Sequence, residues 1–240
     1  MPHSPGTNEA GSAGVTGEPL GAGASSEALV GPAAPAAPPE AVQIFGSATA
    51  AAERYARLLA GPAVARGLIG PREVPRLWER HLLNSAAVAE LVPHPCSLVD
   101  LGSGAGLPGI VLALMLPDVA VTLLEPLLRR VTFLEECVHA LGLQNAQVRR
   151  GRAEELAGQL SADVVTARAV APLDRLAVLA LGLVRPDGTV LAIKGANARR
   201  EVAAARRSLS RLGLRSVDVV RAGGGKVDPA ATVVRLIAGP

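Results

Sequence analysis

From Ala41 to Ile237 the chain switches between two hydrophobic periods, and the switches lay out its elements. Phe45, Ala48, Ala52, Tyr55, Leu58 and Leu59 recur mostly three or four residues apart, which predicts a helix, and Gly61-Pro62 is expected to end it. A second helix is expected over Pro75 to Leu91, with Leu77, His81, Val88 and Leu91 on one face. Short apolar runs then predict strands at 97–101, 119–124, 146–150, 163–167 and 189–194. Helices are expected between and after them, at 108–116, 127–141, 172–184 and about 197–212. In the helix 127–141, Leu127, Val131, Leu134, Val138 and Leu141 form one stripe, and Gly142 is the expected left-handed stop. Ser216 to Val220 and Thr232 to Ile237 read as a hairpin around Gly223-Gly-Gly-Lys226. Alternating β and α predicts an α/β fold with a doubly wound, mostly parallel sheet. The hairpin predicts an antiparallel terminal strand.

Residues 1–40 are mostly Gly, Ala, Pro and Ser with no hydrophobic period, and predict a disordered extension. Residues 41–95 are expected to form an N-terminal helical subdomain, and 96–240 the ligand-binding domain. The chain is 49% hydrophobic but only 2% aromatic, so Leu, Val and Ala must fill its core. Its longest apolar runs are far short of the ~18 residues of a membrane span. No signal peptide is visible. Cys96 and Cys137 lack metal-ligand spacing and read as core residues, so no metal is expected. A cytoplasmic monomer that does not touch membranes is the expectation. Lysine occurs only at Lys194 and Lys226, so arginine carries nearly all the positive charge.

The densest chemistry lies in Ser97-Leu-Val-Asp-Leu-Gly-Ser-Gly-Ala-Gly-Leu-Pro-Gly109. Asp100 ends a strand, and Gly102, Gly104 and Gly106 let the backbone turn sharply and approach a ligand. The helix that follows would aim its N-terminus at that ligand. The register Gly104-Ala-Gly106-Leu-Pro-Gly109 also fits a dinucleotide turn, so the glycines alone decide nothing. The acids favour S-adenosylmethionine over NAD. Asp100 would repel a pyrophosphate but attract a methionine ammonium. Glu125, at the end of the next strand and about 20 residues on, is placed to take both ribose hydroxyls.

Substrate chemistry is narrowed by what is missing. Methylation of an exocyclic amine commonly uses a [DNS]-P-P-[YFW] box after the fourth strand, where this chain has Thr166-Ala-Arg-Ala-Val-Ala-Pro172. Methylation of pyrimidine C5 needs a cysteine near strand four or five, and neither cysteine is there. An acceptor that is already nucleophilic remains. Guanine N7 is one, because it carries a lone pair and loses no proton on methylation.

Arg80-His-Leu-Leu-Asn-Ser85, the glycine turn, Leu124-Glu-Pro-Leu-Leu-Arg-Arg-Val-Thr-Phe-Leu134, Arg152-Ala-Glu-Glu155, Thr166-Ala-Arg-Ala169 and Ala192-Ile-Lys-Gly195 occur in order. Together they resemble the small-subunit ribosomal RNA guanine-N7 methyltransferases, the glucose-inhibited division protein B family, over about residues 45–238. The resemblance implies a class I Rossmann-like methyltransferase fold and methyl transfer from S-adenosylmethionine to N7 of a guanine in 16S rRNA. It implies that Gly102 and Leu107 contact the methionine and ribose, that Ala153 and Glu154 bracket the adenine, and that Arg168 reaches the cofactor from the fourth strand. It implies that Arg129, Arg130, Lys194 and His81 face the RNA, with His81 and Lys194 as positioning groups and no general base. The chain departs from the family in its long head and where Ala65-Arg-Gly-Leu-Ile-Gly70 replaces the usual Trp-Asn…Tyr-Asn-Leu-Thr segment. The residues themselves leave open a methyltransferase of a small molecule or protein, and a regulator that binds the cofactor without turnover.

Overall fold

Residues 33–240 are described by the structure, a computed structural model. Seven strands form one sheet: β1 (Cys96–Leu101), β2 (Val119–Glu125), β3 (Ala146–Arg150), β4 (Ala162–Arg168), β5 (Val184–Lys194), β6 (Ser216–Ala222) and β7 (Ala231–Ile237). Their order is β3-β2-β1-β4-β5-β7-β6. β1 to β5 pair in parallel, while β7 runs antiparallel to both β5 and β6. The strand order reverses beside β1, so β1 and β4 part at their carboxyl ends and leave a crevice there.

The two-residue period of each strand divides the core in two. Leu98, Leu123, Val164 and Leu191 point to one face, and Val99, Leu124, Val165 and Val190 to the other. The first face is covered by α1 (Pro39–Phe45), α2 (Thr49–Leu58), α3 (Asn84–Ala86), α4 (Gly109–Met115) and α5 (Leu128–Leu141). The second is covered by α6 (Ala153–Leu156), α7 (Leu173–Leu181) and α8 (Ala198–Leu209). The N-terminal helices share one continuous core with the sheet. They also reach the last hairpin, where Glu90 accepts the Gly223 N–H at 2.8 Å.

Several elements differ from the pattern-based expectation. Gly61-Pro62 does not break the helix after α2. A wider π-type turn over Leu59–Ala63 accommodates Pro62, whose missing N–H would interrupt a regular α ladder. The chain turns away only at Gly67, with φ 66°. The single helix expected over 75–91 is a run of 3₁₀ and π turns around the short α3. Leu127, expected in the buried stripe of α5, precedes the helix and is 45% exposed, while Phe133 and Cys137 are buried instead. β5 begins at Val184 rather than 189, and α6 was not predicted. Of the extension expected over 1–40, residues 1–32 lie outside the described residues. Residues 33–40 belong to the fold: α1 starts at Pro39, and the Trp78 indole N–H donates to the Pro35 carbonyl at 2.8 Å.

Candidate active site

The turn between β1 and α4 is an internally satisfied loop. Gly102, Gly104 and Gly106 have φ of 67°, 60° and 97°, a region side chains rarely enter. The Gly102 and Ser103 N–H groups donate to the Leu124 carbonyl, and those of Gly106 and Leu107 to the Ser103 carbonyl. The Gly104 N–H donates to Glu125 Oε2 at 3.0 Å. Pro108 has no N–H, and the Gly109 N–H, first in α4, donates to Asp100 Oδ2 at 3.0 Å. These donors are already used within the turn, which counts against the dinucleotide option.

That result also moves Asp100. Its carboxylate does not face the crevice, as expected for a group that meets an ammonium. It is wholly buried under the turn, where its Oδ1 also accepts from Thr166 Oγ1 at 3.2 Å. Asp100 pairs laterally with Thr166 in the β1–β4 register, which explains the contact. Burial is the main cause that pushes its carboxyl up to about 6, against hydrogen bonds from its neighbours that favour the ionised form. The helix N-terminus expected to face the ligand is therefore already occupied by an internal acid.

Glu125 is where the sequence places it, at the carboxyl end of β2. Its Oε1 accepts the Leu127 N–H at 3.1 Å, and Arg130 Nη1 lies 3.5 Å from Oε2. Two N–H bonds leave further acceptor capacity on the carboxylate for a pair of hydroxyls. At Gly104 an added Cβ would meet only the Gly102 carbonyl oxygen, at 3.8 Å, so the backbone there borders open space. Glu125 itself is buried behind the turn, but it lies next to open glycine backbone at the carboxyl end of β2, an arrangement that fits S-adenosylmethionine.

The turn forms one wall of a cleft of about 870 Å³. Gly102, Gly104, Leu107, His81, Arg130, Arg168 and Lys194 all line it. Asp100, Glu125, Ala153, Glu154 and Arg129 do not. Ala153 is buried at the start of α6, Glu154 is exposed and 4.0 Å from Arg175, and Arg129 is exposed on α5.

The opposite wall comes from the N-terminal helices. Leu68, Ile69, Gly70, Glu73, Arg76, Glu79, Arg80 and Asn84 line it. Glu73 holds Arg80 at 3.0 Å and His81 Nε2 at 2.9 Å. A carboxylate accepts, so Nε2 carries the proton, and His81 Nδ1 is buried with no partner. Burial, then the charge of Arg168, lowers the His81 pKa below its ordinary value. Burial acts to raise the Glu73 carboxyl, but the His81 hydrogen bond and the Arg80 charge outweigh it and hold it low. Arg168 Nη1 donates to the Arg80 carbonyl at 3.4 Å, and burial lowers its pKa too. Lys194 Nζ sits 2.8 Å from Glu201 Oε2 of α8 and donates to the Ala171 carbonyl at 3.2 Å.

Tyr55 escaped sequence reasoning, which took it only as a core residue. It is wholly buried, and its hydroxyl donates to the Ala105 carbonyl at 2.7 Å, tying α2 to the glycine turn. Tyrosine in a helix repeat carries no signal of such a partner 50 positions away.

The model of the family described as rRNA small subunit methyltransferase G matches residues 48–228. The chain belongs to this family. It is 60% identical to the ribosomal RNA small subunit methyltransferase G of Thermobifida fusca over 194 residues, 81% of this chain and 82% of that protein. It is 56% identical to the namesake of Streptomyces avermitilis over 206 residues, 85% of this chain and 87% of that one. An S-adenosylmethionine-dependent O-methyltransferase of Thermotoga maritima superposes with a TM-score of 0.54 at 15% identity, over 70% of each chain. MtNAS solved in complex with S-adenosylmethionine, as a mutant, gives 0.53 at 21% identity over 81% of this chain and 74% of that one. These likenesses show the class I methyltransferase fold, and the family match covers the turn, Glu125, Arg168 and Lys194 alike.

Proposed function

We propose that this member of the family transfers a methyl group from S-adenosylmethionine to N7 of a guanine in 16S rRNA. The observation that carries the choice of acceptor is the state of the cleft's carboxylates. Glu73 is held by His81 and Arg80, Glu201 by Lys194, and Glu79 lies 3.9 Å from Arg76. Asp100 is buried and Glu125 is engaged with two backbone donors. These carboxylates are paired or buried rather than poised as a base, which suits N7, an acceptor with no proton to give.

S-adenosylmethionine supplies a methyl group activated by its sulfonium. The chain's residues do the remaining work by position. Glu125 and the Gly102–Gly104 backbone hold the ribose and methionine side. Five cations, Arg76, Arg80, Arg130, Arg168 and Lys194, line the cleft against three carboxylates, so the field favours an RNA backbone. His81, kept neutral by burial, positions rather than repels the guanine that becomes cationic on methylation. We read the protein as a cytoplasmic monomer. Among the described residues no helix is long and apolar enough to cross a membrane.

The test compares 16S rRNA from cells with and without the gene by mass mapping. One N7-methylguanosine is expected to vanish with the gene and return with a copy of it. An unchanged map would reject the proposal, and transfer to a free small molecule would favour the rival acceptor class.

A further inference from the structure

α8 carries a density of charge that the cleft does not use. Arg199, Arg200, Arg206 and Arg207 lie on it and Arg211 just beyond, and all five are exposed. Among the described residues none of them forms an ion pair. The one acid of this stretch, Glu201, is taken by Lys194. Like charges this close repel one another, and no carboxylate is paired with any of them among the described residues.

Their arrangement is regular. Ala198, Ala205 and Leu209 are buried, and Val202 packs beside them, so this row is the inner face of α8. Arg211 follows the end of the helix, and Arg200 and Arg207, seven residues apart, lie within about 20° of one another around its axis. They fall on the side away from the buried row. Arg199 and Arg206 form a second row beside them. Along the helix the rise from Arg199 to Arg207 is about 12 Å, the length of about two nucleotides. The rail starts at the active site: Glu201, next to Arg200, lines the cleft. From there α8 runs back along the sheet as the crossover between β5 and β6.

We infer that the outer face of α8 is a second docking surface for 16S rRNA, taking the phosphate backbone of the strand that leads away from the cleft. The inference rests on the proposed activity and extends its substrate contact to a surface no cofactor or target base touches. Guanidinium forks suit phosphate oxygens, singly or bidentate, without reading sequence. A membrane surface is the weaker occupant. A basic helix that lies on lipid needs a free apolar face, and that of α8 is spent on the core beside α7 and β7.

The test replaces all five arginines together, once by glutamine and once by lysine. Binding to small ribosomal subunits from cells lacking the gene is followed over a series of salt concentrations. Each phosphate contact removed lowers the slope of log affinity against log salt by about 0.7–0.9. The glutamine set is expected to lower the slope by about two or more and the affinity at low salt more than tenfold. The lysine set should keep most of the slope, and calorimetry should show unchanged S-adenosylmethionine affinity in both. A drop of less than one unit in the glutamine set overturns the inference. So does binding of the wild-type chain to phosphatidylglycerol vesicles that the glutamine set alone loses, with RNA binding intact. Wild-type chain that methylates these subunits while the glutamine set binds them equally well refutes the docking surface and leaves the activity standing. Wild-type chain with no transfer to them removes the activity, and the docking surface with it.

Discussion

At the residue scale the buried Asp100 gives the sharpest prediction. Its folded pKa of about 6 is above the ordinary 3.8, so the native state holds a proton that the unfolded chain releases. Its contribution is therefore fully present below about pH 4 and is lost as pH rises through 6. Asp100→Asn keeps the shape and an acceptor for the Gly109 N–H but cannot ionise. Between pH 4 and 8 the stability difference should move toward the variant by about 3 kcal/mol, read from urea midpoints. A pH-independent difference would contradict the raised pKa. His81 has the opposite sign: its pKa is lowered, so its contribution is lost as pH falls through the lowered value. Glu125→Ala strips the Gly104 and Leu127 N–H groups and the ribose of their acceptor. S-adenosylmethionine affinity should fall by about 1.5–3 kcal/mol in calorimetry, the size of hydrogen bonds to a charged group.

At the element scale the turn is held from outside by α2. Tyr55→Phe removes one hydroxyl and leaves the Ala105 carbonyl without its donor. A loss of about 1–3 kcal/mol in unfolding free energy is expected, with weaker cofactor binding, because the loop that borders the ribose loosens. Cofactor affinity equal to wild type would mean that the turn holds its shape without α2. Gly142 ends α5 with φ 68°, as its position after the apolar stripe predicts. Gly142→Ala should cost about 1 kcal/mol by denaturant unfolding and leave the cleft, which it does not line, untouched.

At the scale of the whole molecule the cleft is a meeting of two layers, and its chemistry predicts a pH profile. With N7 as acceptor, single-turnover rates of the bound complex should lack the rising limb of a general base between roughly pH 6 and 9. His81→Ala should slow transfer without altering that profile. An ionisation near 6.5 that disappears in the variant would point to another acceptor atom. Lys194→Ala should flatten the salt dependence of RNA binding by about one phosphate contact.

The sequence alone determined the alternation of strands and helices, the antiparallel end of the sheet, the glycine turn and the acid at the end of β2. These are readable because period, turn chemistry and strand ends are local properties. Gly102, Gly104, Leu107, Arg168, Lys194 and His81 converge on one cleft because the fold brings together strand ends and the helical wall opposite. The sequence could not say that Asp100 turns inward, because that depends on Thr166 lying beside it in a parallel register 66 positions away. Nor could it pair Tyr55 with Ala105, carry the helix through Pro62, or set Ala153, Glu154 and Arg129 apart from the cleft. Those outcomes are settled by which polar groups find partners once the layers close, and only the tertiary structure decides that.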